Sequence, residues 1–250
     1  MISNFEERSS DSPFVEAIYR TRSIGGGSFT SIATTQWEMV ITKQKGKITL
    51  SLRGPETKAS PAPIPEDAEF LGIIFKHGTY MPRLPGSKLV DEEIHLPETV
   101  KNSFQLFGDT WEFPTFENVE PFVNRLLHKD LLTHDQVVED VLRGKTQDLS
   151  LRSVQRRFLH VTGLTYKAIQ QVERVRQALT LLRSGVPISE TTYQTGYFDQ
   201  SHLTRSVKRL LGQTPAQIAR SNRSNDVVFI QDEFSLPSIS FFMGSPFRIK

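Results

Sequence analysis

In QWEMVITKQKGKITLSLRG, residues 36–54, apolar and polar positions exchange at every second residue of the later run. Ile48, Leu50 and Leu52 stand against Lys47, Thr49, Ser51 and Arg53. A period of two marks a half-buried strand. Trp37, Met39, Val40 and Ile41 form an apolar run before it, and Gln44-Lys45-Gly46-Lys47 between the two predicts a hairpin turn. PETKASPAPIP, ending at Pro65, predicts an extended connection with few ladder donors, because proline has no N–H. EFLGIIFKHGTY, from Glu69, predicts another strand. Gly25-Gly26-Gly27 predicts a loop; it lacks the Lys-Ser/Thr and strand–helix setting of a phosphate cradle and is given no ligand.

The period lengthens near residue 116. EPFVNRLLHKDLL, from Glu120, places Phe122, Val123, Leu126, Leu127 and Leu131 at helical spacing and predicts a helix between two halves. Thr133, with Gln136 three residues on, predicts an N-cap and capping box. Val137, Val138, Val141 and Leu142 would form that helix's apolar face, and Gly144 its end. Helices are predicted to continue to about residue 221. SNDVVFIQDEFSLPSISFFMGSPFRIK, at the end, predicts one or two late strands. The fold class read from these patterns is α+β. A β-rich domain spans 1–115, an interdomain helix 116–132, an all-α domain 133–222 and a tail 223–250.

The helical half repeats itself. Shifted by 49 residues, Ser150 falls on Asp199, Val154 on Leu203, Arg156 on Arg205, Phe158 on Val207 and Val161 on Leu210. Gly163 then falls on Gly212, Thr165 on Thr214 and Ile169 on Ile218. Each copy has a helix cap, an apolar stripe, a closing glycine and a cap for the next helix. Each follows a shorter helix and a turn, which is the order of a helix-turn-helix. The outer face offers Arg152, Gln155 and Arg156 in the first copy. In the second it offers Ser201, His202 and Arg205, flanked by Gln200 and Lys208. Arginine and glutamine can make bidentate bonds to base edges in a major groove. Thr165 to Arg183 reads as one continuous helix between the copies, with Ile169, Val172, Val175, Leu179 and Leu182 as its buried stripe. Its nineteen residues, at ~1.5 Å each, span roughly 28 Å. Grooves on one face of DNA repeat about every 34 Å.

Charge sharpens this division. The net charge of +2 conceals 12 Lys/Arg against 15 Asp/Glu in residues 1–115, and 11 against 3 in residues 149–222. Only the second half is suited to a polyanion. The chain of 250 residues is 37% apolar and has no cysteine, so disulfides, thiolate metal sites and cysteine nucleophiles are excluded. No run of eighteen apolar residues occurs, so no membrane span is predicted, and the opening MISNFEERSSDSP shows no basic-then-apolar leader. A cytoplasmic location is expected. No Gly-x-Ser-x-Gly elbow occurs.

At these residues the chain resembles the AraC/XylS-type transcription regulators. GYFDQSHLTRSVKRLLGQTPAQIAR is similar to that family's signature over its full length, and LSLRSVQRRFLHVTGLTYKAIQQVERVRQALTLL to its first half. The resemblance covers residues 133–222 and implies a double helix-turn-helix domain. It places Arg152, Gln155 and Arg156 at base-reading positions of the first head, and Gln200, Ser201, His202 and Arg205 at those of the second. Thr204 and Lys208 would hold phosphates, contacts that position without specifying. One departure stands out: where the family has an aliphatic residue and then alanine, this chain has Thr191-Thr192, whose hydroxyls need partners if buried. Residues 29–82 resemble the sensor half of such regulators, which implies a cupin-like β-roll that binds an effector or a partner. Trp37, Phe75 and Trp111 are its candidate pocket-lining residues, against a plain reading as core. No metal or cofactor is expected, because His77 and His95 lack a His-x-His-plus-Glu setting.

The resemblance implies a regulator of transcription and not an enzyme. Its expected partners are double-stranded DNA, a small-molecule effector and, for an activator, RNA polymerase; a homodimer is compatible with it but not required. Two other classes compete. An enzyme carrying a DNA-binding module would need the acceptor cysteines or histidine cluster that this chain lacks. An interaction protein whose helical half binds protein would differ in salt dependence, since contacts to several phosphates weaken steeply with salt.

Overall fold

The computed structural model describes residues 2–99, 102–145 and 147–221. The late strands and the tail expected after residue 222 lie outside the described residues. A β-rich half comes first. Strands β1 (Ile2–Arg8), β2 (Val15–Ser23), β4 (Glu38–Gln44), β5 (Lys47–Arg53), β7 (Ala68–Phe75) and β9 (Glu93–Leu96) form one antiparallel sheet in the order β1-β2-β7-β4-β5-β9. Three two-stranded ribbons accompany it. They pair β3 (Gly27–Ser31) with β6 (Ser60–Ile64), β10 (Ser103–Leu106) with β11 (Asp109–Glu112), and β8 (Thr79–Tyr80) with β12 (Thr133–His134). Helix α1 (Val119–His128) follows β11.

The β4–β5 hairpin turns through Lys45 and Gly46 at φ 50° and 78°, the two left-handed residues that a tight hairpin needs. The alternation read in β5 holds for Leu50 and Leu52, which are buried, but Ser51 on the opposite face is covered as well and meets His95 Nδ1 at 2.8 Å. The proline-rich stretch is not a free connection. Its end is β6, paired with β3 in the register Ser28↔Pro63 and Thr30↔Pro61. Only alternate residues of a two-stranded ribbon need to donate, and the prolines occupy one phase, leaving Ser60, Ala62 and Ile64 as donors. The helix expected between the halves is α1, and its stripe belongs to the β-rich core. Val119, Phe122, Val123 and Leu126 are fully buried, and the Phe122 ring meets Phe104 and Trp111 edge-on.

Six further helices make the second half: α2 (Gln136–Leu142), α3 (Leu151–Thr162), α4 (Tyr166–Arg183), α5 (Ile188–Gln194), α6 (Gln200–Leu211) and α7 (Pro215–Ser221). The cap expected at Thr133 is displaced by two residues. Thr133 pairs with Tyr80 in β12, and Asp135 caps α2 by accepting from the N–H groups of Val137 and Val138. Both bonds end on Asp135 Oδ1, at 3.0 and 3.2 Å. The helical half is built on two cores. Val138, Val141, Leu142, Val154, Phe158, Val161, Leu164 and Ile169 form one cluster, and Val172 to Leu182 of α4 join Leu203, Val207, Leu210 and Ile218 in another.

The β-rich half grips both clusters. Tyr80 and Val90 pack on the first, and Ile32 and Ala33 enter the second. Gly163 and Gly212, the closing glycines of α3 and α6, are points of close approach. A Cβ on Gly163 would meet the Val90 side chain and lie 2.5 Å from Gly86 O; one on Gly212 would lie 2.8 Å from the Thr30 methyl. Ala33 N–H donates to Leu210 O (2.8 Å) and Ala59 N–H to Arg209 O (2.9 Å), so main chain of the β-rich half satisfies carbonyls that the end of α6 leaves open.

Between these grips lies a polar junction. The Thr35 hydroxyl sits 2.9 Å from His77 Nε2 and bonds the Glu173 carboxylate of α4, which also takes Arg176 Nη1 at 3.3 Å. Burial raises the Glu173 carboxyl above its usual range against the pull of Arg176. Burial and the Arg176 guanidinium draw the His77 ring down from 6.5 to about 3.

Two predictions test this arrangement. Gly163→Ala forces an alanine to φ +74°, which costs about 1–2 kcal/mol, and also wedges the β-rich half away from α3. Gly185→Ala meets the strain at φ +84° with nothing within 4 Å of the new methyl. Denaturant unfolding of the full chain is expected to show the larger loss for Gly163→Ala; equal losses would mean that the contact with Gly86 yields freely. The second concerns acid. The unfolded chain binds a proton at His77 more tightly than the folded one, so this ring's contribution is complete above about pH 6.5 and is lost as pH falls toward 3. Glu173, raised in the fold, acts in the opposite sense. His77→Gln is therefore expected to flatten the decline of the unfolding midpoint from pH 6.5 downward, and parallel profiles would show that the ring does not titrate there.

Candidate nucleic-acid interface

Helices α3 and α6 are built to one plan. Each is twelve residues long, and their first residues are 49 apart. Ser150 caps α3 by accepting from Ser153 N–H (3.2 Å), and Asp199 caps α6 by accepting from His202 N–H (2.6 Å). Gly163 and Gly212 end them at φ 74° and 75°, left-handed conformations that glycine adopts without a Cβ clash. Val154, Phe158 and Val161 face inward on α3, as do Leu203, Val207 and Leu210 on α6.

The outer faces divide the predicted residues. Arg152, Gln155 and Arg156 are exposed along α3; Gln200, Ser201, Arg205 and Lys208 are exposed along α6. Thr204 is half-buried. His202 is half-buried too, its ring held edge-on against Tyr197 at 5.0 Å, while Arg174 of α4 covers the same Tyr197 ring at 5.4 Å. Arg152, Arg156, Arg205 and Lys208 form no ion pair with any described residue, whereas Arg157 donates to Asp135 at 2.7 Å and braces α3 against the cap of α2. Neighbouring arginines thus have different work: one is a strut, and the other is free.

The three acids of residues 149–222 are removed from these faces. Glu173 is buried in the polar junction, Glu190 accepts from Gln194 at 2.9 Å, and Asp199 is occupied as the cap of α6. A row of uncommitted cations and amides remains, chemistry suited to phosphate oxygens and base edges. Thr191 and Thr192, in the support helix α5, are buried and find partners there. Thr192 Oγ1 donates to Ile188 O at 2.7 Å, and Thr191 Oγ1 makes a long bond of 3.5 Å to Val186 O. The support helix keeps its packing with its hydroxyls satisfied. The helix between the heads, α4, has eighteen residues and spans about 27 Å.

Residues 145–221 match a family model described as a helix-turn-helix domain. The helical half therefore carries a helix-turn-helix domain. No curated relative matches the chain in sequence. Among solved structures the chain is distantly similar to ToxT from Vibrio cholerae, at 10% identity over 87% of this chain and 98% of that one, with a TM-score of 0.37. ToxT from Vibrio cholerae O395 gives 11% identity over 88% and 98%, with a TM-score of 0.38. ToxT from strain SCE256, bound to an unsaturated fatty acid, gives 10% over 84% and 96%, with a TM-score of 0.35.

The aromatic residues proposed for an effector pocket sit deep in the β-rich half. Trp37 stacks on Phe75 at 4.1 Å and 10° and donates its Nε1–H to Thr79 O at 2.7 Å; Trp111 lies elsewhere in the same core, against Phe122. Trp37 borders a narrow apolar pocket completed by Tyr80, Met81, Leu84, Leu89 and Val161, where the β-rich half meets the first head; Phe75 and Trp111 do not line it. His77 belongs to the polar junction, and the His95 side chain is exposed.

Sequence reasoning passed over two features of this surface. Phe198, immediately before the cap of α6, is 93% exposed, and Tyr193 on α5 is 82% exposed. The repeat carried the signal: Phe198 falls on Leu149, which is also exposed before its own cap. Patterning hides such residues because it assigns every aromatic to the core.

The division between the two arginines gives a paired prediction. Arg157→Ala is expected to cost about 1 kcal/mol of stability, because it leaves the Asp135 carboxylate, nearly buried, without its ion pair. Arg156→Ala is expected to leave the unfolding midpoint unchanged and to weaken DNA binding. Gel-shift and denaturation measurements on both variants check this; interchanged phenotypes would contradict the assignment.

Proposed function

We propose that this protein is a sequence-specific DNA-binding regulator of transcription that lays α3 and α6 in successive major grooves of one duplex. The observation that carries the reading is the duplicated helix, with equal length, equivalent caps and an outward row of Arg, Gln, Ser and His groups free of ion pairs. Arg152, Gln155 and Arg156 read bases from the first head; Gln200, Ser201, His202 and Arg205 read them from the second. Thr204 and Lys208 hold phosphates. The β-rich half biases this binding through an effector or through self-association. Its contacts with the ends of both α3 and α6 support that role, since a change there bears on both heads together.

Selection of bound fragments from random duplex DNA, using the full chain at two salt concentrations, tests the proposal. Two short blocks about ten base pairs apart are expected, with affinity falling steeply as salt rises. Arg205→Ala is expected to lower affinity for the selected site by roughly 1–3 kcal/mol and to relax preference at one position of the second block. Unchanged binding by a folded variant would remove Arg205 from the reading set, and retention of DNA without any enriched sequence would overturn sequence-specific reading.

A further inference from the structure

We propose that Phe198 is a base-reading residue of the second head and takes the methyl group of a thymine. The inference rests on the DNA-reading function above and adds to it one residue and one kind of base.

The local chain holds this ring outward. Tyr197, just before it, is buried in the core of the second head, and Asp199, just after it, is committed to His202 N–H as the cap of α6. Between these anchors Phe198 remains 93% exposed, so its ring is available to an apolar partner that would remove it from water. Gln200 and Ser201 follow it at the start of the helix, and Arg205 and Lys208 lie further along; all four are exposed. An apolar group beside donors and acceptors, at the N-terminal end of a recognition helix, suits one feature of the major groove. An A·T pair presents the thymine C5-methyl group there, next to the thymine O4 acceptor and the adenine N6 and N7.

Two observations favour DNA over a protein as the partner that covers this ring. The charged side chains exposed on this helix are positive, and its cap is its one acid. The first head has the same device: Leu149, 49 residues earlier, precedes the Ser150 cap and is 39% exposed. A contact that belongs to reading is expected in both heads, whereas a docking site for a protein would need only one.

The test uses the full chain and the duplex recovered by selection. Each thymine of the second block is replaced in turn by deoxyuridine, which removes the methyl group and nothing else. For the wild type, one position is expected to lose affinity about 3- to 10-fold. Phe198→Ala is expected to bind the thymine and uracil forms equally, at the wild type's affinity for the uracil form, and Phe198→Leu to recover part of the difference. The unfolding midpoint of each variant is measured alongside. Indifference of the wild type to every methyl group would overturn the inference and leave the DNA reading standing, as would an undiminished uracil penalty in Phe198→Ala. Equal affinity of the wild type and Phe198→Ala would also overturn it. A wild-type chain that selects no sequence would overturn the DNA reading, and this inference with it.

Discussion

The helical half depends on a single helix supplying two cores. Ile169 of α4 is buried with Phe158 and Val161 under the first head; Val172, Val175, Ala178, Leu179 and Leu182, further along the same helix, are buried with Leu203, Val207 and Leu210 under the second. Interiors are close-packed and do not deform smoothly. Neither head can therefore turn about α4 without opening its own core. The rise and twist of that helix fix how far apart α3 and α6 stand and which way they face. The equivalent caps and closing glycines then become consequential, because two helices of equal length at a fixed offset begin and end at equivalent points.

What was legible in the chain was whatever local chemistry determines. Ser150, Asp199, Gly163 and Gly212 are caps for reasons confined to a few residues, and the Lys45-Gly46 turn follows from the backbone conformations it requires. The repeat made this legible twice over. What stayed hidden depends on tertiary partners. The prolines at 61 and 63 read as a break in pairing until β3 is known to need only the other phase. Thr133 is a fair cap by composition, but Tyr80 takes it into a ribbon and the cap passes to Asp135. Arg156 and Arg157 are neighbouring exposed arginines, and the ion pair that makes Arg157 a strut depends on where Asp135 lies in the fold. Thr191 and Thr192 look like flaws in a support helix until their bonds to Val186 O and Ile188 O are seen.

The contact between the halves was the least visible feature, since it joins residues distant in sequence, such as Gly86 and Gly163, 77 apart. It combines three kinds of interaction. Glycine against backbone sets the distance at Gly163, main-chain bonds to Arg209 and Leu210 satisfy the end of α6, and the His77–Thr35–Glu173–Arg176 chain joins the middle of α4 to the β-rich half. The last is a weak source of stability, because burying charged groups offsets much of what their pairing returns. Its effect is on register: the groups are satisfied only when α4 lies in one place against Thr35. The first two act at the ends of the recognition helices. The halves are therefore joined in a defined relation, not merely held close.

That geometry limits how the β-rich half can act on DNA binding. It holds α3 and α6 at their closing glycines, whereas the residues assigned to base reading, exposed apart from the half-buried His202, begin at the opposite ends. Its contacts do not cover the reading faces. On the DNA-binding reading, control works through the relation between the heads. Two helices must meet two grooves at once, and a small change in their separation or tilt costs the second contact after the first is made. A ligand or a second copy of the chain acting on the β-rich half then alters DNA affinity only as far as it favours one arrangement of the grips over another. Because the heads are gripped at equivalent points, such a change reaches both recognition helices, and their joint engagement is the quantity that responds.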